Sequence, residues 1–232
     1  MAADNALINS VKSGESNPTI RFYRWKPSAV SIGSFQSMRD EINIDKCKEL
    51  GVAYVRRLTG GGAVYHDTDG EITYSVIAPE KLFPKNIIES YKTICGWIID
   101  GLSSIGVSAE FVPINDIVVS GKKISGNAQT RRDGVLLQHG TVLYKTDVSK
   151  MFSLLNVSKE KISDKIIKGV EERVAGVSAY ADVSMEQLYE SLLKGFTAGK
   201  DFKFGMLTGK EIAEAERLRK EVYSTDSWNF SR

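Results

Sequence analysis

Between residues 107 and 144 strand signals follow one another with no helical stretch between them. "VSAEFVPINDIVVSGKKISGNAQ" (107–129) reads as strand, break at Pro113, strand, tight turn at Ser120-Gly121 and strand, and "VLLQHGTVLY" (135–144) reads as a fourth. Connections this short imply antiparallel neighbours. Further strands are read at 19–25, 29–33, 52–58 and 71–79, where β-branched and aromatic residues dominate. Strands that cluster ahead of helices, instead of alternating with them, predict an α+β domain and not a doubly wound sheet.

The helices are read from periodicity and caps. Ala2, Ala6, Leu7, Ile8 and Val11 predict a first helix that stops near Gly14, and "IDKCKELG" a short one closed by Gly51. Ile87, Ile88, Tyr91, Ile94, Cys95, Ile98, Leu102 and Ile105 recur at helical spacing behind an Asn86–Glu89 cap. After Asp147 short helices are expected to dominate, two of them opened by capping boxes at Ser184–Gln187 and Thr208–Glu211. No repeat or low-complexity linker divides the 232 residues, so one domain is expected.

Composition narrows the function. The 31 basic and 29 acidic residues nearly cancel, so no broad field draws in nucleic acid or an anionic membrane, and any anion site must be local. Two cysteines, Cys47 and Cys95, are too few and too far apart for a disulfide framework or a thiolate metal site. Two histidines, His66 and His139, cannot close a zinc site, so no zinc is expected. With no apolar run of about 20 residues and no signal-peptide pattern, the expectation is a cytoplasmic protein.

Two stretches carry candidate chemistry. In "RRLTGGGAVYHD" (56–67), Gly60, Gly61 and Gly62 let main-chain N–H groups approach a phosphate or carboxylate, because no Cβ blocks the way. A surface turn is the bland alternative. The loop lacks the Gly-Lys-Ser/Thr end of a Walker motif and the spacing of a dinucleotide fingerprint. Arg56 and Arg57 point to opposite faces of a strand, so one can reach an anion while the other is expected in solvent. In "NDIVVSGKKISG" (115–126) a hairpin at Gly121 brings Asp116 and Lys123 across from each other. They could hold Mg²⁺ and neutralise phosphoryl charge, or form an exposed salt bridge.

Together these stretches resemble the lipoate-protein ligase and octanoyltransferase family. "RRLTGGGAVYHD" resembles its lipoyl-binding motif, and "GKKISGNAQ" followed by "LQHGTVLY" its other core motifs in order and spacing. "MAADNAL", "INDI" and "YSTDSWNF" resemble its first helix, its ligase-type Asn-Asp pair and the end of its large domain. The resemblance implies a biotin/lipoyl ligase-type α+β fold across 1–232, related to class II aminoacyl-tRNA synthetases. That fold has a mixed, mostly antiparallel sheet flanked by helices.

The resemblance also implies a lipoate-protein ligase that converts lipoate and MgATP to lipoyl-AMP, then acylates one lysine of a carrier domain. The carrier would be a dehydrogenase acyltransferase domain, a glycine-cleavage H protein or a similar protein. Lys123 is the implied catalytic residue. Arg57, Gly60, Gly61, Gly62, Val64, His66, Asn115, Asp116, Gly126, Ala128, His139 and Gly140 are the implied substrate and adenylate contacts, with Asp116 a candidate Mg²⁺ ligand. Val64, Tyr74 and Val76 are guessed, from alternation, to line an acyl tunnel. No accessory domain follows "SWNFSR", so a separate small accessory subunit is expected for adenylation. The alternatives are an ATP-independent octanoyltransferase, disfavoured here because "FVPINDIVVS" lacks the acyl-accepting cysteine of such enzymes, and a non-catalytic lipoyl- or carrier-binding subunit. A biotin ligase ranks lower, since its adenylate loop differs from "RRLTGGG".

Overall fold

A computed structural model describes residues 1–145, 147–156, 169 and 172–232. Its centre is a six-stranded antiparallel sheet in the order β1-β5-β9-β8-β7-β6. The strands are β1 (Thr19–Tyr23), β5 (Glu71–Pro79), β6 (Glu110–Val112), β7 (Asp116–Val119), β8 (Lys122–Arg132) and β9 (Val135–Leu143). A smaller sheet joins β2 (Ala29–Ile32), parallel to β3 (Ala53–Arg56) and antiparallel to β4 (Val64–His66). The antiparallel run from 107 to 144 is therefore as expected, and its tight turn has both Ser120 and Gly121 at positive φ. Strand β4 was not anticipated, because its three residues follow the glycines with no alternation to read.

Register decides which side chains share a face. Ile72, Tyr74 and Val76 of β5 and Leu136 and Val142 of β9 face two helices, α4 (Ile87–Ser103) and α6 (Met185–Thr197). Ile94, Ile98, Leu102, Leu188, Leu192 and Phe196 complete this principal core. The helices approach closely, since a Cβ on Gly195 would lie 2.1 Å from the Trp97 carbonyl oxygen. Tyr74 and Val76 thus belong to the helix-facing core. The expected tunnel lining is corrected: alternation gave their common face but not which layer it meets.

The opposite face of the large sheet is polar at its middle. Tyr23, Thr73, Thr141 and Gly126 form one cross-strand row, and Arg21, Ser75, His139 and Ala128 the next. Helix α1 (Ala2–Lys12) covers the apolar end of this face, where Leu7, Ile8 and Val11 meet Ile77, Val135 and Leu137. The small sheet and the glycine loop cover the rest. Behind the small sheet, Val30 and Ile32 pack on Met38 of α2 (Met38–Glu41), Cys47 of α3 (Ile44–Glu49) and Leu154 of α5 (Val148–Leu154). Helix α7 (Gly209–Leu218) packs on α1, and α8 (Asp226–Asn229) lies against β3. Both expected capping boxes are formed. Of the helical stretch expected after Asp147, residues 157–168 lie outside the described residues.

Close helix contact makes two glycines of the α4–α6 pair respond oppositely to a methyl group. Gly195→Ala should lower stability by about 1–3 kcal/mol through overpacking. Gly96→Ala, where a Cβ meets nothing within 4 Å, should raise it by up to about 1 kcal/mol through helix propensity. Urea unfolding of the two variants checks both signs.

Candidate active site

The glycine loop is built by its two arginines. Arg57 has five N–H donors, and the protein engages all three of its nitrogens. Nη2 donates to the carbonyls of Gly60 and Gly62 at 2.8 Å each, Nη1 to the carbonyl and hydroxyl of Ser31 at 3.2 Å, and Nε to Thr59 Oγ1 at 3.2 Å. Arg56 is 1% exposed and donates to the carbonyls of Gly33, Ser34 and Gln36 and, on the other side, of Trp228 and Asn229. Neither arginine is solvated, which corrects the expectation for one of them. Carbonyl and hydroxyl oxygens of the protein receive both guanidinium groups. Burial pulls the Arg57 pKa down to about 10, so the group stays charged at neutral pH.

The loop is pressed against β2. A Cβ on Gly33 would sit 2.1 Å from the Gly61 carbonyl oxygen, so only glycine fits there, and Gly61 itself has φ +99°. Gly61 and Gly62 are exposed, with Phe35 beside Gly60.

Both histidines lie in the polar layer between the sheets. His139 Nε2 is 2.7 Å from Thr59 Oγ1. His66 Nε2 is 2.8 Å from Ser31 Oγ, and its Nδ1 is 2.7 Å from Glu71 Oε1. Trp25 stacks on the His66 ring with centroids 4.3 Å apart. A continuous set of contacts therefore runs from His139 through Thr59, Arg57, Ser31 and His66 to Glu71. Burial above all, opposed by Asp4 and assisted by Arg57, pulls the His139 pKa down to about 3. His139 is thus neutral at physiological pH, with Nε2 already engaged, and is placed to position rather than to exchange protons.

Asp116 and Lys123 do meet. Lys123 Nζ lies 2.7 Å from Asp116 Oδ1, and the two side chains are 40% and 34% exposed. The ammonium lies over Gly126, where a Cβ would be 3.0 Å from Nζ. Gly126 pairs with Thr141, and Ala128 with His139, so the ion pair stands on the polar face near His139. Segment 173–175 flanks the lysine, with Lys123 N donating to the Arg173 carbonyl and Ala175 N to that of Lys123. Asp116, the candidate Mg²⁺ ligand, is paired with an ammonium, and the described residues contain no group of three or more His, Cys, Asp or Glu able to hold a metal.

The remaining candidates divide between the two faces. Val64 borders Ser31 on β4, whereas Gly140 lies on the helix-facing side beneath Asn127. Asn115 exchanges hydrogen bonds with Asn127 across the hairpin. Thr59, Ser31, Glu71 and Asn127 are not among the residues read as candidates in the sequence, although Thr59 lies inside "RRLTGGGAVYHD" and Asn127 inside "GKKISGNAQ". Both cysteines are fully buried. Burial raises the Cys47 thiol to about 11 and the Cys95 thiol to about 12, so neither is a ready nucleophile.

The model of the lipoyl protein ligase A/B catalytic domain matches residues 1–197. The chain belongs to this family. Octanoyltransferase LipM of Brevibacillus brevis is 36% identical over 261 residues, spanning 100% of this chain and 94% of that protein. Among solved structures, a bi-partite lipoate protein ligase from Thermoplasma acidophilum, studied with its E2 lipoyl domain, superposes with a TM-score of 0.90. It is 35% identical and covers 99% of this chain and 89% of that one. Lipoate-protein ligase A bound with ATP gives 0.84 at 32% identity, over 99% of this chain and 92% of that one. These likenesses bear out the family resemblance and the α+β ligase-type fold. They also correct the expected MgATP-dependent ligase: further curated relatives spanning the chain are, like the first, octanoyltransferases. The protein is an enzyme of the lipoate-related transferase and ligase family. No helix among the described residues is long and apolar enough to cross a membrane.

The neutral His139 gives stability a defined pH slope. Its folded pKa lies far below the unfolded value of about 6.5, so the unfolded chain binds the extra proton between the two. The contribution is full above about 6.5 and is lost progressively as pH falls toward 3. His139→Gln, which cannot be protonated, should flatten this fall in urea midpoints measured from pH 7 to pH 4.

Proposed function

We propose that the protein is an octanoyltransferase that moves an octanoyl, or lipoyl, group from one carrier protein to a lysine of a lipoyl carrier domain without ATP. The observation that carries this reading is the full-length likeness to curated octanoyltransferases. The acceptor amine attacks the acyl carbonyl of the donor thioester. A C–N bond forms, the C–S bond breaks, and the amine's surplus proton leaves with the donor thiol. Lys123 is the catalytic residue, facing the oxyanion that develops on the carbonyl. Asp116 holds the ammonium in place, and its half-exposed position suits a site that must admit a carrier's lysine.

The two cysteines give the transfer its form. Relatives that use an acyl-accepting cysteine form a thioester on the enzyme, but here both thiols are buried and protonated at neutral pH. Transfer therefore goes directly between carriers bound together. Gly60–Gly62 and the polar layer behind them supply the acyl-binding side, with Arg57 and His139 shaping it from within. An accessory subunit was expected as a closure over an adenylate, and ATP-free transfer gives it no such task.

The test is transfer of octanoyl from an octanoylated carrier to an apo lipoyl domain, followed by intact-protein mass spectrometry with ATP omitted. Acylated lipoyl domain should accumulate, and no enzyme species bearing the octanoyl mass should be trapped. Lys123→Ala should slow the transfer on the order of 10²–10³-fold. The Cys47→Ser, Cys95→Ser double variant should keep the wild-type rate per folded molecule. Absence of transfer by the wild type would overturn the reading, and a trapped thioester would overturn the direct route.

A further inference from the structure

Behind the Asp116–Lys123 pair a single hydrogen-bond chain crosses the helix-facing side of the sheet. Ser90 Oγ on α4 lies 3.0 Å from Gln129 Oε1 and shares its one proton between that oxygen and the Ile87 carbonyl at 2.8 Å, while Gln129 Nε2 donates to Gln138 Oε1 at 2.9 Å. Gln138 Nε2 donates to the Tyr74 hydroxyl at 2.8 Å, and that hydroxyl to Asn127 Oδ1 at 2.6 Å. Asn127 Nδ2 then donates to the Asn115 carbonyl at 2.8 Å, which also receives the Asn127 main-chain N–H at 3.1 Å. Asn115 Nδ2 returns a bond to the Asn127 carbonyl. The chain ends one residue before Asp116.

Its direction is fixed by chemistry. The Asn115 carbonyl can only accept, so the Asn127 amide faces it with nitrogen and faces Tyr74 with oxygen. The Tyr74 hydroxyl therefore gives its one proton to Asn127 and accepts from Gln138. Ser90, Tyr74 and Gln138 are fully buried and Asn127 is 4% exposed, so water is not a substitute partner for these four, whereas Gln129 and Asn115 are partly exposed. Room for the amide exists because residue 140 is glycine: a Cβ there would lie 2.2 Å from Asn127 Oδ1.

We propose that Asn127 is the positioning residue of the Asp116–Lys123 pair, the last member of a directed chain that anchors the Asn115–Asp116 main chain to helix α4. Cross-strand pairing alone leaves this turn weakly held. The β7–β8 register shifts between Ile117 and Val118, so the ladder is irregular at the place where the carboxylate must be set. The side-chain chain supplies the missing constraint from behind the sheet. This assignment rests on the role of Lys123 in acyl transfer, and its test has an arm that does not.

Asn127→Asp keeps the shape and the acceptor for Tyr74 but cannot donate to Asn115 when ionised; Asn127→Ser, smaller and uncharged, replaces it if the first variant does not fold. In the octanoyl-transfer assay kcat should fall on the order of 10- to 100-fold, with KM for the donor carrier unchanged. In a Lys123→Ala background the same substitution should have almost no further effect, because the pair it positions is already broken. Tyr74→Phe, one bond farther away, should show the same pattern with a smaller loss. Hydrogen exchange should quicken at residues 115–117 in the variant while α4 and β5 keep wild-type protection. An unchanged kcat, or an equal loss with and without Lys123, overturns the positioning role. If the wild type transfers nothing, the functional reading fails, and unchanged exchange at 115–117 would still overturn the anchoring on its own.

Discussion

Arg57 places a buried positive charge between two β-sheets, and the site depends on how that charge is satisfied. A guanidinium can be buried only if its planar fork finds acceptors, and here they come from strand β2, Thr59 and the glycine loop. The loop is consequently shaped by the need to solvate an arginine. Three consecutive glycines serve this end, because two carbonyls must turn inward to Nη2 while Gly61 takes a left-handed φ and packs on Gly33. The same arginine reaches Ser31 and Thr59, and through them both histidines. Loop shape, sheet spacing and histidine orientation are thus consequences of one desolvated cation.

Much of the scaffold was legible because its signals are local. The Asn86 cap, the two capping boxes and the Ser120-Gly121 turn each depend on a few neighbouring residues, and each is found where its residues stand. Alternation in "EITYSVI" likewise separated Ile72, Tyr74 and Val76 from Glu71, Thr73 and Ser75. What alternation cannot supply is the identity of the layer that each face meets, so Tyr74 and Val76 were assigned to the ligand side when they meet α4 and α6. The arginine pair failed for a similar reason. Opposite directions along a strand imply one wet side, yet Arg56 meets the Trp228 and Asn229 carbonyls at α8, and Arg57 meets the Ser31 carbonyl and the glycine loop.

The candidate site was legible in its motifs and not in its supports. Asp116 and Lys123 could be paired from a hairpin read in the sequence, and the pair forms. Ser31 and Glu71 could not, since they come to His66 from β2 and β5, and no spacing rule links residues brought together by sheet stacking. The reaction is subject to the same asymmetry. The motifs are shared by enzymes that do and do not use ATP, so their presence fixes the family and leaves the reaction to be decided by the full-length relatives.

The proposed transfer without an acyl-enzyme would place an unusual demand on this scaffold. A covalent intermediate would hold the carbonyl while one carrier leaves and the next arrives. Direct transfer has only non-covalent contacts to align two carriers and an oxyanion, so the charge that meets the oxyanion must already be fixed in place. Lys123 is a long side chain, 40% exposed, and its salt-bridge partner among the described residues is a carboxylate of comparable exposure. A surface pair of that kind is worth little as an anchor by itself. Its precision must come from the main chain beneath it, and there the structure uses buried amides and a tyrosine hydroxyl in a helix-packed core where apolar residues would otherwise suffice. A satisfied polar chain in such a position costs desolvation and gains direction, which is what a site without a covalent tether requires.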